Sequence, residues 1–137
     1  MTSPHGEENR MISDVLEAVT AASNTMDKVA DDCKLKKGES LFDRIETCGK
    51  RMNEWSVKLN SLKKYVEVVE KHSALLMKLW PNIPPGPEPG QYDRTKVRMF
   101  AAAAKVVRDQ YTQMKSVYDR TLKELDKHKA SLRNIKA

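Results

Sequence analysis

The spacing of apolar residues predicts that the chain is helical over most of its length. In the first part, apolar residues recur in alternating steps of three and four, which places them on one face of a helix. We expect this first helix to span about 7–35 and to end before Gly38, a residue favoured after helix ends. The positions on its apolar face are Ile12, Val15, Val19, Ala22, Met26, Val29 and Cys33.

The second predicted helix, about 41–80, carries a longer apolar face. Ser40 can cap its start together with Asp43, three residues later. Pro81 ends it, because proline lacks the backbone N–H that the next helical hydrogen bond needs. Alternating steps of four and three continue for about forty residues, or roughly 60 Å of helix. The face consists of Leu41, Ile45, Cys48, Met52, Trp55, Leu59, Leu62, Val66, Val69, Ser73, Leu76 and Trp80.

A proline-rich turn, 81–91, separates this helix from a third one of equal length, about 93–135. The third helix has an unbroken apolar face of its own. Two equal faces joined by a short turn predict an antiparallel hairpin. The positions are Val97, Phe100, Ala104, Val107, Tyr111, Met114, Tyr118, Thr121, Leu125, His128, Leu132 and Ile135.

The predicted fold is therefore all-α: a single domain, 1–137, built as an elongated antiparallel helical hairpin of two coiled-coil helices. The first helix is shorter, so we expect it to pack on the open end of the hairpin and to leave the tip as two helices. The tip is the end next to the proline-rich turn.

Near this tip, apolar residues occur on more than one face of each helix. A helix that is apolar all round needs neighbours all round, which two helices do not provide. We therefore expect an exposed apolar patch of the kind that marks partner surfaces. The alternative is that the first helix reaches further, or that the turn folds back and covers the patch with Ile83. The candidate interface residues are Leu75, Met77, Leu79, Trp80, Met99, Phe100 and Val106.

The formal net charge of +6 is concentrated in the last segment of the chain, 81–137. A basic helix can bind nucleic acid or another polyanion through phosphate contacts that weaken with salt. Here the bases alternate with acids, as on a solvated helix face. The residues we single out for polyanion contact are Lys115, Lys123, Lys127 and Arg133.

The sequence offers little for catalysis or cofactor binding. Cys48, His128 and Glu124 are the best set resembling a nucleophile, a base and an orienting group. Each has a simpler structural explanation, so we expect no enzyme activity, no cofactor and no metal site. Cys33 and Cys48 are expected to be reduced, buried thiols, because two cysteines do not make a disulfide framework.

The N-terminal residues do not resemble a signal peptide, and no apolar run approaches the roughly 18 residues of a membrane span. We expect an intracellular protein, cytoplasmic or nuclear, without membrane partners. The predicted function is that of a non-enzymatic coiled-coil adaptor or structural subunit. It would assemble with itself or with other proteins through helix-helix contacts near the tip. The alternative is a basic helical module that binds a polyanion through the third helix.

Overall fold

Three long α-helices make up most of the part of the chain that the structure describes. The computed structural model describes residues 4–86 and 93–136, and of residues 4–9 and 135–136 only the backbone. No strand occurs among these residues, so the predicted all-α class is confirmed. The predicted helix bounds are right to within three residues. The helices are α1, Pro4–Asp32, α2, Leu41–Lys78, and α3, Arg94–Lys136, with a short 3-10 helix, Trp80–Asn82, after α2.

The link between α1 and α2 follows the predicted local chemistry. Gly38 has a φ of 86°, a left-handed conformation that side chains with a Cβ disfavour. The Asp43 backbone N–H donates to the Ser40 hydroxyl at 3.3 Å, as expected of a helix N-cap. Ser40 therefore begins α2, whereas Gly38 lies in a turn six residues beyond Asp32, the last residue of α1.

The segment before α3 is held by Asp93, whose side chain is fully buried. The backbone N–H of Lys96 donates to the Asp93 carboxylate at 2.9 Å, which caps the helix. The N–H of Arg94 donates to the carbonyl of Pro84 at 2.9 Å. Residues 87–91 of the predicted turn lie outside the described residues.

The apolar faces predicted for the three helices form the core. Their members are buried or half-buried wherever side chains are described, and the side chain of Ile135 is not among them. Between α2 and α3, the Arg108 Nε donates to the Glu70 carboxylate at 2.9 Å. This hydrogen bond with Arg108 is the main reason that the pKa of Glu70 lies below its usual value. Packing between helices is thus both apolar and, at the edges, ionic.

Contacts divide the chain into two compact units, and each takes segments from all three helices. The first unit contains Met1–Thr20 and Leu62–Tyr111. The second unit contains Ala21–Ser61 and Thr112–Ala137.

The first part of α1 belongs to the first unit, which also contains the end of α2 and the start of α3. Val15 and Val19 are buried, and the Thr20 hydroxyl donates to Gln110 Oε1 at 3.0 Å. In the second unit, Cys33, just after the end of α1, lies beside Cys48, about two turns into α2. That α1 leaves the tip as two helices stays a prediction.

The two cysteines differ from expectation, because Cys33 and Cys48 form a disulfide bond and are not free thiols. Both residues are only 1% exposed. The bond joins the end of α1 to α2 across a separation of 15 residues. The prediction had assumed that burial alone explained these positions, whereas their Cα atoms lie 5.1 Å apart, within bonding range.

Candidate functional site

Besides its core face, α2 carries a second apolar stripe, which we call the outer stripe. Its positions follow one another in steps of three, four, three and four, the spacing of a coiled-coil heptad. Each position lies one residue before a member of the core face, which turns it about 100° away from the core. The outer stripe consists of Tyr65, Val68, His72, Leu75 and Leu79.

The outer stripe is exposed over most of its length. Tyr65 is 60% exposed, Val68 52%, Leu75 57% and Leu79 53%. In the same stretch of helix, Leu76 is buried in the core of the first unit. This part of α2 therefore has one face that packs within the chain and another that meets solvent.

His72 lies in the middle of the outer stripe and is half-buried. Its ring packs edge-on against Phe100 of α3, with 5.3 Å between the ring centroids. Burial lowers the pKa of His72 below 6.5, so the imidazole is neutral at pH 7. The stripe thus carries no charge at its centre at neutral pH.

A shorter group of exposed apolar residues, which we call the α3 stripe, lies near the start of α3. It consists of Met99, Ala102 and Val106, which share a face because they are spaced by three and four residues. Met99 is 67% exposed. The α3 stripe and the outer stripe belong to the same unit.

Five of the predicted interface residues are exposed, and they separate into three groups. Leu75 and Leu79 belong to the outer stripe, while Met99 and Val106 belong to the α3 stripe. Met77 is exposed but lies two residues from each leucine, and so on a different face of α2.

The two aromatic residues of the predicted interface are less accessible than its other five members. Phe100 is only 5% exposed and is part of the core. Trp80 is half-buried, and the guanidinium groups of Arg94 and Arg98 lie 4.9 and 5.2 Å from the centroid of its indole. Cation–π contacts within the chain therefore occupy Trp80. Because the side chain of Phe100 packs in the core, Phe100 is not part of the candidate surface.

Sequence reasoning missed Tyr65 and Val68. A signal for them is present, because apolar residues occur as adjacent pairs in this part of α2. Tyr65 precedes Val66, and Val68 precedes Val69, just as Leu75 precedes Leu76. One member of each pair belongs to the core face and the other to a second face with the same period.

The basic residues predicted for polyanion contact lie on the exposed surface of α3. Lys115 pairs with Asp119, with its Nζ 3.2 Å from the carboxylate. Lys123, Lys127 and Arg133 are exposed and form no ion pair with another described residue. Three of the four cations are thus available to an external anion.

A cleft of about 730 Å³ in the second unit contains Cys33, Glu124 and His128 among its lining residues. The Nε2 atom of His128 lies 3.8 Å from a Glu124 carboxylate oxygen, which is too long for a hydrogen bond. Cys33 and Cys48 are joined in the disulfide, so neither provides a thiolate. This set therefore lacks the nucleophile that covalent catalysis would need.

Within the described ranges, no three His, Cys, Asp or Glu residues come together as metal ligands would, and no helix is long and apolar enough to cross a membrane. No protein-family model matches this chain, and neither does any curated protein or any solved structure.

Proposed function

We propose that this protein is a non-enzymatic helical adaptor or structural subunit that assembles with itself or with other proteins through helix-helix contacts near the tip. The observation that carries the proposal is the outer stripe of α2. Its exposed members, Tyr65, Val68, Leu75 and Leu79, repeat with the spacing that another helix needs for side-chain interdigitation. Exposed apolar groups arranged in this way on a helical surface are typical of partner sites.

The scaffold that we propose for this site is an antiparallel coiled-coil hairpin of α2 and α3. Three contacts within the first unit support it. Trp80 meets Arg94, His72 meets Phe100, and Glu70 meets Arg108. Residue numbers in α3 rise as those in α2 fall, which is the order that an antiparallel pair requires.

Two substitutions on the outer stripe test the adaptor function. We expect Leu75→Ser with Leu79→Ser to abolish assembly, because serine removes the apolar contact without disturbing the core face. The tagged chain is isolated from the cells that produce it, and the mass of the complex is measured by light scattering. Met77→Ser is the matched control, since Met77 lies between the two leucines in sequence but on another face.

The native chain and the Met77→Ser variant should both exceed the single-chain mass of 15.6 kDa, and the double variant should not. Circular dichroism checks that the double variant keeps its helices. A native chain that is isolated at 15.6 kDa with no retained protein would contradict the proposal.

The second candidate function is polyanion binding through α3. The exposed cations Lys123, Lys127 and Arg133, which have no ion-pair partner among the described residues, favour it. Reversing these three charges should then remove salt-dependent binding to nucleic acid. If the native chain binds no nucleic acid at low salt, polyanion binding is excluded as its function.

The predicted location, cytoplasmic or nuclear, stays a prediction. The bond between Cys33 and Cys48 removes the support that free thiols would have lent to a reducing compartment.

A further inference from the structure

One flank of the outer stripe carries three lysines. Lys64, Lys71 and Lys78 are spaced by seven residues, so they share one face of α2, and each directly precedes a member of the outer stripe. All three are exposed, and none forms an ion pair with another described residue. We call these three residues the lysine row.

Heptad notation shows which positions the lysine row occupies. With Tyr65, His72 and Leu79 at a, and Val68 and Leu75 at d, the lysines occupy the three g positions. The corresponding e positions are Val69 and Leu76, which are buried in the first unit. Only the g flank of the outer stripe is therefore open to a partner helix, and it is uniformly positive.

Charges at e and g select the partner and the orientation of a coiled coil. In an antiparallel pair, g residues face g residues of the partner helix. In a parallel pair, g residues face e residues.

A second copy of the chain does not complement the lysine row in either orientation. An antiparallel symmetric pair would place lysines against lysines, and like charges at facing positions are destabilising. A parallel pair would place the lysines opposite Val69 and Leu76, which provide no carboxylate and are already buried. Self-association through the outer stripe is thus disfavoured in both arrangements.

We propose that the outer stripe binds an amphipathic helix of a different protein, with Glu or Asp flanking its apolar face. This assignment rests on the adaptor function proposed above and names the chemistry of its partner. The acidic residues of the partner helix that face the lysine row would lie at its g positions in an antiparallel complex and at its e positions in a parallel one. From Tyr65 to Leu79 the stripe covers two heptads, or roughly 21 Å of helix, so a partner segment of similar length is sufficient.

Two synthetic peptides test the charge preference. Both have three heptads with leucine at every a and d position. One carries Glu at every e and g position, and the other carries Lys. Like charges at these positions disfavour pairing of each peptide with itself. Binding of each labelled peptide to the native chain is measured by fluorescence anisotropy at low and high salt.

We expect the Glu-flanked peptide to bind about tenfold more tightly at low salt, because three exposed charge pairs are attractive with one peptide and repulsive with the other. The ratio of the affinities for the two peptides should fall as salt screens these charge pairs. In the variant with Lys64→Glu, Lys71→Glu and Lys78→Glu, the preference should reverse.

The matched control for this variant reverses three exposed lysines that belong to neither proposed binding surface, with Lys28→Glu, Lys37→Glu and Lys129→Glu. Its net charge changes by the same amount, but the charges lie in the second unit. We expect this control to keep the preference for the Glu-flanked peptide. Loss of the preference here would show that net charge alone attracts the peptide and would overturn the proposal.

The Leu75→Ser, Leu79→Ser variant separates failure of this inference from failure of the adaptor function. It should bind neither peptide. Equal binding of both peptides by the native chain, lost in this variant, would keep the outer stripe as a helix site but refute an acidic partner. A native dimer that the Leu75→Ser, Leu79→Ser variant dissociates would lead to the same conclusion, because the outer stripe would then bind a second copy of the chain. Binding of neither peptide by the native chain would contradict the adaptor function as well.

Discussion

Two glycines with positive φ show how the surroundings of a single residue decide its tolerance to change. Gly38 has a φ of 86°, and no atom other than those of its chain neighbours lies within 4 Å of where a Cβ would be. Gly86 has a φ of 78°, and the same position would lie 2.4 Å from the Cβ of buried Asp93. At both positions the left-handed backbone disfavours any residue with a Cβ, and at Gly86 the added Cβ would in addition clash with Asp93.

We expect Gly38→Ala to lower the free energy of unfolding by about 1 kcal/mol, because left-handed backbone is costly for alanine. Gly86→Ala should lower the free energy of unfolding by more, since the added methyl displaces Asp93. The Asp93 carboxylate accepts a hydrogen bond from the backbone N–H of Lys96 and caps α3. Urea denaturation of the two variants measures the difference. Equal losses would show that the segment around Gly86 moves aside without cost.

The half-buried ring of His72 makes stability depend on pH. Burial lowers its pKa in the folded protein, so the unfolded chain takes up a proton at higher pH than the folded chain does. Stability from this residue is therefore complete above the unfolded pKa of about 6.5 and is lost as pH falls from there to the folded pKa. Below the folded pKa no further loss from His72 is expected.

Comparison with the His72→Phe variant isolates this effect, because phenylalanine keeps an aromatic ring against Phe100 but does not titrate. Between pH 7 and pH 5 we expect the native chain to lose more stability than the variant in urea denaturation. Parallel pH profiles of the two proteins would contradict the assignment.

At the scale of one element, α2 carries two apolar faces with different tasks. The core face supports the fold, and the outer stripe is left to solvent or to a partner. Leu75 and Leu76 are neighbours in sequence, but one is 57% exposed and the other 6%. This pair allows the two faces to be tested with the same chemical change.

We expect Leu76→Ala to lower the free energy of unfolding by about 2–5 kcal/mol, because it removes buried methyl groups and leaves a cavity. Leu75→Ala should change it by less than about 0.5 kcal/mol, as is usual for an exposed site. Thermal or urea unfolding followed by circular dichroism at 222 nm compares them. A large loss for Leu75→Ala would mean that the outer stripe is needed for the fold.

At the scale of the whole molecule, the disulfide between Cys33 and Cys48 is the one covalent cross-link of the described chain. It closes a loop across a separation of 15 residues and so restricts the unfolded chain. Replacing both cysteines by alanine should lower the free energy of unfolding by about 3 kcal/mol, from the loss of this restriction. Urea denaturation without reductant gives the value.

The native chain in the presence of a dithiol reductant should approach the stability of the double alanine variant. The variant itself should not respond to the reductant. If the reductant leaves the native midpoint unchanged, the two cysteines are not bonded in solution.

Local sequence patterns predicted the helices and their buried faces well, and the exposure of their other faces less well. The core faces of α1, α2 and α3 follow from periodicity, because a stripe with a helical period has to be buried somewhere. The exposure of Leu75 and Leu79 was also predicted, and both side chains are more than half exposed. Tyr65 and Val68 were missed because only one apolar face per helix was assigned there.

By itself, the sequence determined where the helices begin and end and which face of each is buried, since capping, proline and periodicity act over a few neighbouring residues. The tertiary structure alone decided that Cys33 bonds to Cys48 and that Tyr65 and Val68 stay exposed beside the buried core face. These outcomes depend on the relative displacement of helices. That displacement is set by contacts between residues far apart in the chain, and no local pattern specifies it.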